Sequence, residues 1–176
     1  TGINAGSTRH RGIELSLKSR LIETLDFTLL QNLNYNHAAY RFREFEEETN
    51  GELLRYDGNA LTGIPSNQLS LSFTGNFKDR LYTQLSYQYI DRMPLTDDNS
   101  RYSAAYQITS FQIGWQPTIF TKLDLGLSYR INNLFNEVYA SMHQINARAF
   151  GSGSPRYYYP GLPRNHMITL KMKFGL

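Results

Sequence analysis

Side chains along most of this chain alternate between apolar and polar with a period of two residues. Only extended strands place successive side chains on opposite faces, so the pattern calls for strands whose two faces meet unlike surroundings. In 11–18, Ile13, Leu15 and Leu17 oppose Gly12, Glu14, Ser16 and Lys18. In 25–36, Leu25, Phe27, Leu29, Leu33 and Tyr35 oppose Asp26, Thr28, Asn32, Asn34 and Asn36, while Leu30 and Gln31 break the order locally. In 67–77, Leu69, Leu71, Phe73 and Phe77 oppose Ser70, Ser72, Thr74 and Asn76. The alternation returns in 81–89, 110–115, 122–131 and 168–174. The expected fold is all-β and antiparallel with seven principal strands, most of about nine to eleven residues, the length a tilted strand needs to cross a bilayer.

A soluble antiparallel sheet with one face on a core alternates in the same way. Two features favour a bilayer. The polar face is rich in Ser, Thr, Asn, Gln and Gly, as a wet barrel lumen is. Aromatic residues (Tyr35, Tyr87, Tyr89, Trp115, Tyr129 and Phe174) gather toward strand ends, where a membrane interface holds them. Half-apolar strands also account for a mean hydropathy of −0.48. No apolar run reaches the roughly 18 residues of a transmembrane helix, and the opening TGINAGSTRHRGIEL carries no charged-then-apolar leader. The absence of cysteine among 176 residues excludes disulfides and thiolate metal sites. A net charge of +3 carried by scattered Lys and Arg argues against nucleic acid as a partner.

The connections alternate in length. Residues 19–24, 78–80 and 116–121 are short, whereas 43–66, 92–105 and 136–165 are long. Such alternation marks an outer-membrane barrel with tight periplasmic turns and larger extracellular loops. Strands one and seven would both descend toward the short turns, so closing the sheet would force a parallel pair and an odd strand count. An open sheet in hydrocarbon would leave edge backbone unsatisfied. The expectation is therefore that residues 1–176 form the C-terminal part of a larger barrel. An autonomous barrel would need an eighth strand recruited from a long loop such as 139–148.

Four stretches, NAGSTRHRGIELSL (4–17), GNALTGIPSNQLSLSF (58–73), YRINNLFNEVY (129–139) and PRYYYPGLPRNHMITLKMKF (155–174), together resemble the C-terminal barrel strands of TonB-dependent outer-membrane receptors, the ferric-siderophore receptors above all. The resemblance carries over to Arg11, Gly12 and Glu14, to Gly63 and Pro65, to Asn133, Leu134, Phe135, Asn136 and Tyr139, and to Gly161, Pro163, Arg164, Asn165 and Phe174. It implies structural and assembly roles for these residues, not ligand contacts. Where the family commonly ends on an aromatic residue, Gly175 and Leu176 follow Phe174 here. The resemblance further implies a plugged barrel of 22 strands in the outer membrane of a Gram-negative bacterium. Its partners would be outer-membrane lipid, the plug and preceding strands of the same receptor, the TonB complex engaged through an N-terminal part outside this sequence, and an iron chelate as cargo. Haem, cobalamin or a glycan are alternative cargoes on the same fold. A small autonomous barrel or a soluble β-sandwich binding module is the alternative of another class.

No enzyme chemistry or resident cofactor is expected. Ser, His and Asp occur without a nucleophile-elbow sequence, and His10, His37, His143 and His166 lack metal-ligand spacing. Glu44, Glu46, Glu47 and Glu48 read as a solvated loop, and Asp97, Asp98 and Asn99 as an Asx turn rather than a calcium loop. The ligand-binding candidates lie in the last long loop: Met142, His143, Arg148, Arg156, Tyr157, Tyr158 and Tyr159. Arginine supplies fixed positive charge, and tyrosine supplies stacking area and a hydroxyl, which together suit a large anionic or aromatic ligand such as a ferric catecholate or hydroxamate chelate.

Overall fold

All seven expected strands form, each hydrogen-bonded to its neighbours in chain order. The computed structural model describes residues 6–49, 51–78, 80–120, 123–149 and 151–174. Lys122, Gly175 and Leu176 lie outside these. Among the described residues there are β1 (Ser7–Arg9), β2 (Gly12–Glu23), β3 (Phe27–Ala38), β4 (Arg41–Arg43), β5 (Glu46–Thr49), β6 (Glu52–Arg55), β7 (Asn67–Phe77), β8 (Leu81–Ile90), β9 (Tyr106–Trp115), β10 (Thr118–Phe120), β11 (Leu123–Asn132), β12 (Ala140–His143), β13 (Tyr158–Pro160) and β14 (Asn165–Phe174).

The main sheet is an antiparallel meander, β2-β3-β7-β8-β9-β11-β14, with short β10 against β11. Among the described residues β2 pairs only with β3, and β14 only with β11. Both edges are open. The short connections lie at one end of the sheet and the three long loops at the other. Past the sheet at the long-loop end, β1 pairs with β4, and the Ala39 N–H donates to the Arg11 carbonyl at 2.8 Å, prolonging the β2–β3 pair.

Register assigns each side chain to a face. One row runs Leu15, Tyr35, Leu69, Tyr89; the next runs Leu17, Leu33, Leu71, Tyr87. Farther along, Ile113, Tyr129 and Ile168 share a row. This apolar face stays uncovered: Ile13 is 65% exposed, Ile168 73% and Leu170 59%. The opposite face carries Glu14, Asn36 and Gln68 in one row and Ser16, Asn34, Ser70 and Gln88 in the next. These rows line a concavity of about 470 Å³ on the polar side.

The two irregularities of the sequence pattern have local causes. Gln31 stands on the apolar face opposite Ser19 and Phe73, and the Ser19 hydroxyl reaches its Oε1 at 3.4 Å, so the two misplaced polar groups partner each other. Leu30 correspondingly faces the polar side opposite Arg20 and Thr74. A bulge at Leu21 then shifts the register, leaving Arg20 opposite Leu30 but Ile22 opposite Leu29. The extra residue inverts the phase of the alternation. Residues 19–24, expected as a turn, are therefore strand as far as Glu23.

The tyrosines of the apolar face form an ordered belt. Each hydroxyl is hydrogen-bonded to a side chain one row nearer the long loops: Tyr35 to Asn67 (2.8 Å), Tyr87 to Gln107 (2.9 Å), Tyr89 to Asp91 (3.4 Å) and Tyr129 to His166 (2.7 Å). Tyr87 and Tyr129 sit three residues inside their strands, not at the tips. At the opposite end Trp115, half-exposed, shares a row with Leu81 and Leu127. An amphipathic ring with its hydroxyl held toward the polar end suits a membrane interface.

Candidate functional site

Three long loops, 39–66, 91–105 and 133–164, form a layer at one end of the sheet. Among the described residues the buried apolar side chains concentrate there: Phe42, Phe45, Tyr56, Leu95 and Tyr157, with Ala38 at the last position of β3. Phe42 and Phe45 pack at 5.0 Å between ring centroids, and Phe45 and Tyr56 at 5.2 Å. The glutamates expected to be a solvated loop are solvated at Glu44, Glu46 and Glu48, but three of the four build a hairpin rather than irregular chain. Glu46 to Glu48 belong to β5, paired with β6, where the Arg55 guanidinium meets Glu46 at 2.9 Å. The Tyr56 hydroxyl donates to Glu47 at 3.3 Å, and burial together with that carboxylate raises the phenol above its usual pKa.

The second loop makes the expected Asx turn. The backbone N–H and hydroxyl of Ser100 both reach Asp98 Oδ1, at 3.0 and 2.8 Å, and Asn99 adopts a left-handed conformation (φ 55°). Hydrogen bonding from Thr96 and Ser100 holds the Asp98 carboxyl below its usual pKa. Asp97, one residue earlier, has a different role. Its Oδ1 accepts from the Thr62 hydroxyl and its Oδ2 from Asn146 Nδ2 at 2.9 Å; its carbonyl accepts from Asn59 Nδ2 at 2.9 Å. One residue thus touches all three loops. Nothing in the sequence signals this, because Thr62 and Asn146 lie 35 and 49 residues away.

The two signature motifs of the third loop clasp each other. Asn133 is 2% exposed, with φ 52°. Its Nδ2 donates to the carbonyls of Glu137 (2.8 Å) and Leu162 (3.2 Å), and its Oδ1 accepts from the Glu137 N–H (2.8 Å). Asn136 Oδ1 accepts from the Arg164 N–H at 2.9 Å, Asn132 donates to Asn165 at 2.8 Å, and Asn165 Nδ2 donates to the Pro163 carbonyl at 2.9 Å. The Leu134 N–H reaches the Thr109 carbonyl at 2.7 Å. Tyr139 lies over Gly161, where an added Cβ would come within 2.3 Å of the ring. Only glycine fits beneath it. The clasp thus ties the start of the loop to the start of β14.

The remaining signature residues are also structural in placement. Gly12 lies against the His37 carbonyl, Glu14 lines the polar concavity, and Gly63 (φ 80°) donates its N–H to the Pro94 carbonyl at 2.9 Å. Pro65 lies just before β7 and Arg11 just before β2. Phe135 is 76% exposed beside the clasp, and the backbone of Phe174 ends β14 opposite Leu123.

The ligand candidates divide among three places. Arg148 and Arg156 meet at one cavity of about 440 Å³, with Gln144, Gly153 and Ser154. Among the described residues neither guanidinium has a carboxylate within ion-pair distance. Arg148 also walls a neighbouring concavity of about 800 Å³, whose other sides include Phe45, Tyr56, Asp97 and Asn146. His143 and Tyr158 pair across the β12–β13 ribbon with rings edge to face at 5.6 Å, lining a separate apolar cavity of about 350 Å³ with Tyr106 and Tyr139. Burial lowers the His143 pKa below its usual value. Tyr157 is buried under the Arg101 guanidinium, which stands 5.8 Å from its ring; Tyr159, exposed, pairs with Met142. The β12 strand overlaps the segment considered for an eighth barrel strand, but it pairs with β13 and not with the sheet.

The comparisons with known proteins agree with this architecture. The family described as TonB-dependent receptor-like, β-barrel matches residues 1–136. No curated protein sequence matches the chain. Among solved structures, the siderophore receptor PiuA from Acinetobacter baumannii aligns with a TM-score of 0.67 at 17% identity, over 95% of this chain and 22% of that one. The ferric yersiniabactin uptake receptor FyuA from Yersinia pestis gives 0.67 at 19%, over 97% and 24%. The ferric-catecholate import receptor Fiu from E. coli K12 gives 0.63 at 18%, over 95% and 21%. The chain spans under a quarter of each of these structures, and its open sheet corresponds to part of a barrel wall. With its seven-strand meander and the match over residues 1–136, the chain belongs to the TonB-dependent receptor β-barrel family.

Proposed function

We propose that this chain is the C-terminal part of the wall, with its extracellular loops, of a 22-stranded outer-membrane receptor that takes up ferric siderophores in a TonB-dependent manner. The apolar face with its tyrosine belt would lie against lipid, and the polar face would line the plugged lumen. Preceding strands would satisfy the open edges of β2 and β14, whose unpaired backbone hydrocarbon does not tolerate. The loop layer would then face the outside.

The observation that carries the cargo reading is the pair Arg148 and Arg156, which wall one cavity with no carboxylate within ion-pair distance among the described residues; the adjoining concavity that Arg148 shares adds Phe45 and Tyr56 together with Glu47, Asp97 and Asp98. Two guanidinium groups facing a shared space favour an anionic ligand. An anionic chelate carrying aromatic iron donors suits that space, and the names of the structural relatives support iron as the cargo. The chemistry required is binding followed by gated passage, without a covalent step.

The test is radioiron accumulation by an iron-uptake-deficient Gram-negative host expressing the full-length receptor, supplied with ferric tris-catecholate, tris-hydroxamate or citrate. We expect accumulation from at least one chelate that vanishes when TonB is deleted, and that falls when Arg148 and Arg156 are both replaced by Gln. Accumulation that persists without TonB, or none from any ferric chelate, contradicts the proposal.

A further inference from the structure

Among the described residues, the hydrogen bonds between the third loop and the second all pass through Asn146. Among the described residues, its backbone N–H donates to the Leu95 carbonyl at 2.8 Å, its Nδ2 to Asp97 Oδ2 at 2.9 Å, and its Oδ1 accepts from the Asp97 N–H at 3.2 Å. Its backbone sits in the left-handed region (φ 49°), which asparagine tolerates better than most residues. The first and second loops, by contrast, have several independent ties. Asn99 exchanges hydrogen bonds with both the N–H and the carbonyl of Ala60, at 2.8 and 2.9 Å, and Gly63 binds Pro94. Two loops are knitted together, and among the described residues the third is hydrogen-bonded to them through one residue, beside the packing of Tyr157 under Arg101.

We propose that the Asp97–Asn146 pair is a latch that fastens the third loop over the cavity built by the first two, and that its task is to position Arg148. Three features support this. Arg148 is two residues beyond Asn146 and walls the same concavity as Phe45, Tyr56, Asp97 and Asn146. Asp97 spends its other carboxylate oxygen on Thr62, so one side chain sets the distance between the first loop and the third. The pairing is also polar-complementary in one sense only: a carboxylate accepts both side-chain bonds, and an amide supplies one donor and one acceptor. Replacing Asp97 by Asn is absorbed, because its amide can turn to donate to the Thr62 hydroxyl, which also accepts, while its oxygen keeps the bond from Asn146 Nδ2. Replacing Asn146 by Asp instead sets two carboxylates face to face and removes the donor to Asp97 Oδ2.

The complementarity provides its own control. In the double variant Asp97→Asn with Asn146→Asp, Asn at 97 keeps its oxygen for Thr62 and offers its nitrogen to the new carboxylate, which still accepts from the backbone N–H of residue 97. All the side-chain bonds are restored, with the same total charge. Asp at 146 alone breaks the latch; the exchange remakes it.

The test uses the full-length receptor in detergent micelles, spin-labelled at Glu52→Cys in the first loop and Ser152→Cys in the third. Any cysteine outside this sequence, which has none, is first replaced by Ser. Pulsed dipolar spectroscopy should give a narrow distance distribution for the parent, a broad one for Asn146→Asp, and a narrow one again for the exchanged pair. An unchanged distribution in Asn146→Asp, or failure of the exchange to narrow it, overturns the latch. A parallel titration with ferric tris-2,3-dihydroxybenzoate reads the positioning role, which rests on the uptake reading. Affinity should fall about tenfold in Asn146→Asp and recover in the exchanged pair, whose total charge equals the parent's. Loss of affinity in Asn146→Asp that the exchange leaves unrepaired while distances recover overturns the positioning of Arg148. If the parent receptor binds none of this probe, its catecholate-uptake reading fails and the distances alone decide the latch.

Discussion

The sheet and the loop layer invert the usual division of labour in a protein. In a water-soluble domain the sheet carries the core and the loops lie solvated around it. Here the seven long strands leave one apolar face uncovered, with Ile13, Leu15, Ile168 and Leu170 half or more exposed, while Phe42, Phe45, Tyr56, Leu95 and Tyr157 are buried between loops. On the proposed membrane reading, the difference reflects what each region has for solvent. Loops in water must hide their apolar side chains and knit their own backbone, as the Asn133 clasp and the Asp97 hub do. Strands facing hydrocarbon gain nothing by hiding Leu or Ile, and instead must leave no backbone group unpaired within the sheet.

That contrast can be broken at several points. The largest effect should come from Leu95, 1% exposed: Leu95→Ala should destabilise the loop layer by about 2–5 kcal/mol. Hydrogen exchange should then accelerate in all three long loops and stay unchanged in β7 and β8. On the sheet, Leu71→Arg should cost about 2–4 kcal/mol in a bilayer, as a charge on a lipid face does. Its neighbour Ser72→Arg, on the opposite face, should cost less than about 1 kcal/mol, since that face is polar. Reversible folding into vesicles measures both; equal costs would contradict the assignment of faces.

Asn133→Ala removes three hydrogen bonds from a buried position and places alanine at φ 52°. The expected cost is about 1–3 kcal/mol, read as faster proteolysis of residues 133–164 with the strands intact. The smallest effect is a pH dependence of the β12–β13 ribbon. Burial lowers the His143 pKa from its ordinary 6.5, so the unfolded ribbon binds the proton more tightly. Stability from this group is complete above pH 6.5 and declines as pH falls below it. His143→Gln should flatten that dependence in a proteolysis series.

How far the molecule could be read in advance follows the same division. Period-two alternation sets strand register because one slip would move every side chain to the wrong face. Leu69, Leu71 and Phe73 therefore announced their face without any partner. The pattern misleads at residues 19–24, expected as a short connection, where the strand continues to Glu23 past a bulge at Leu21; the break at Gln31 is visible in the sequence, but its partner Ser19 on another strand is not. In the loops, Asn133 was legible as a motif residue, yet its clasp to Leu162 and the Gly161–Tyr139 packing depend on chain separations that no local pattern encodes. Asp97 was read by its neighbours as an Asx turn, which is true of Asp98; its links to Thr62 and Asn146 exist only once three loops have met. Arg148 and Arg156 line one cavity and Tyr157 is buried under the Arg101 guanidinium, placements that depend on loop packing rather than on any local pattern.

The central claim is that one face of the sheet is solvated by lipid and the other by water. Nitroxide labels placed singly from Leu69 to Thr74 along β7, in the full-length receptor reconstituted into bilayers, test it directly by collision rates with oxygen and with a water-soluble nickel chelate. The account predicts strict alternation: oxygen-accessible at Leu69, Leu71 and Phe73, and nickel-accessible or plug-shielded but oxygen-poor at Ser70, Ser72 and Thr74. Uniform nickel accessibility, or no period of two, would contradict it.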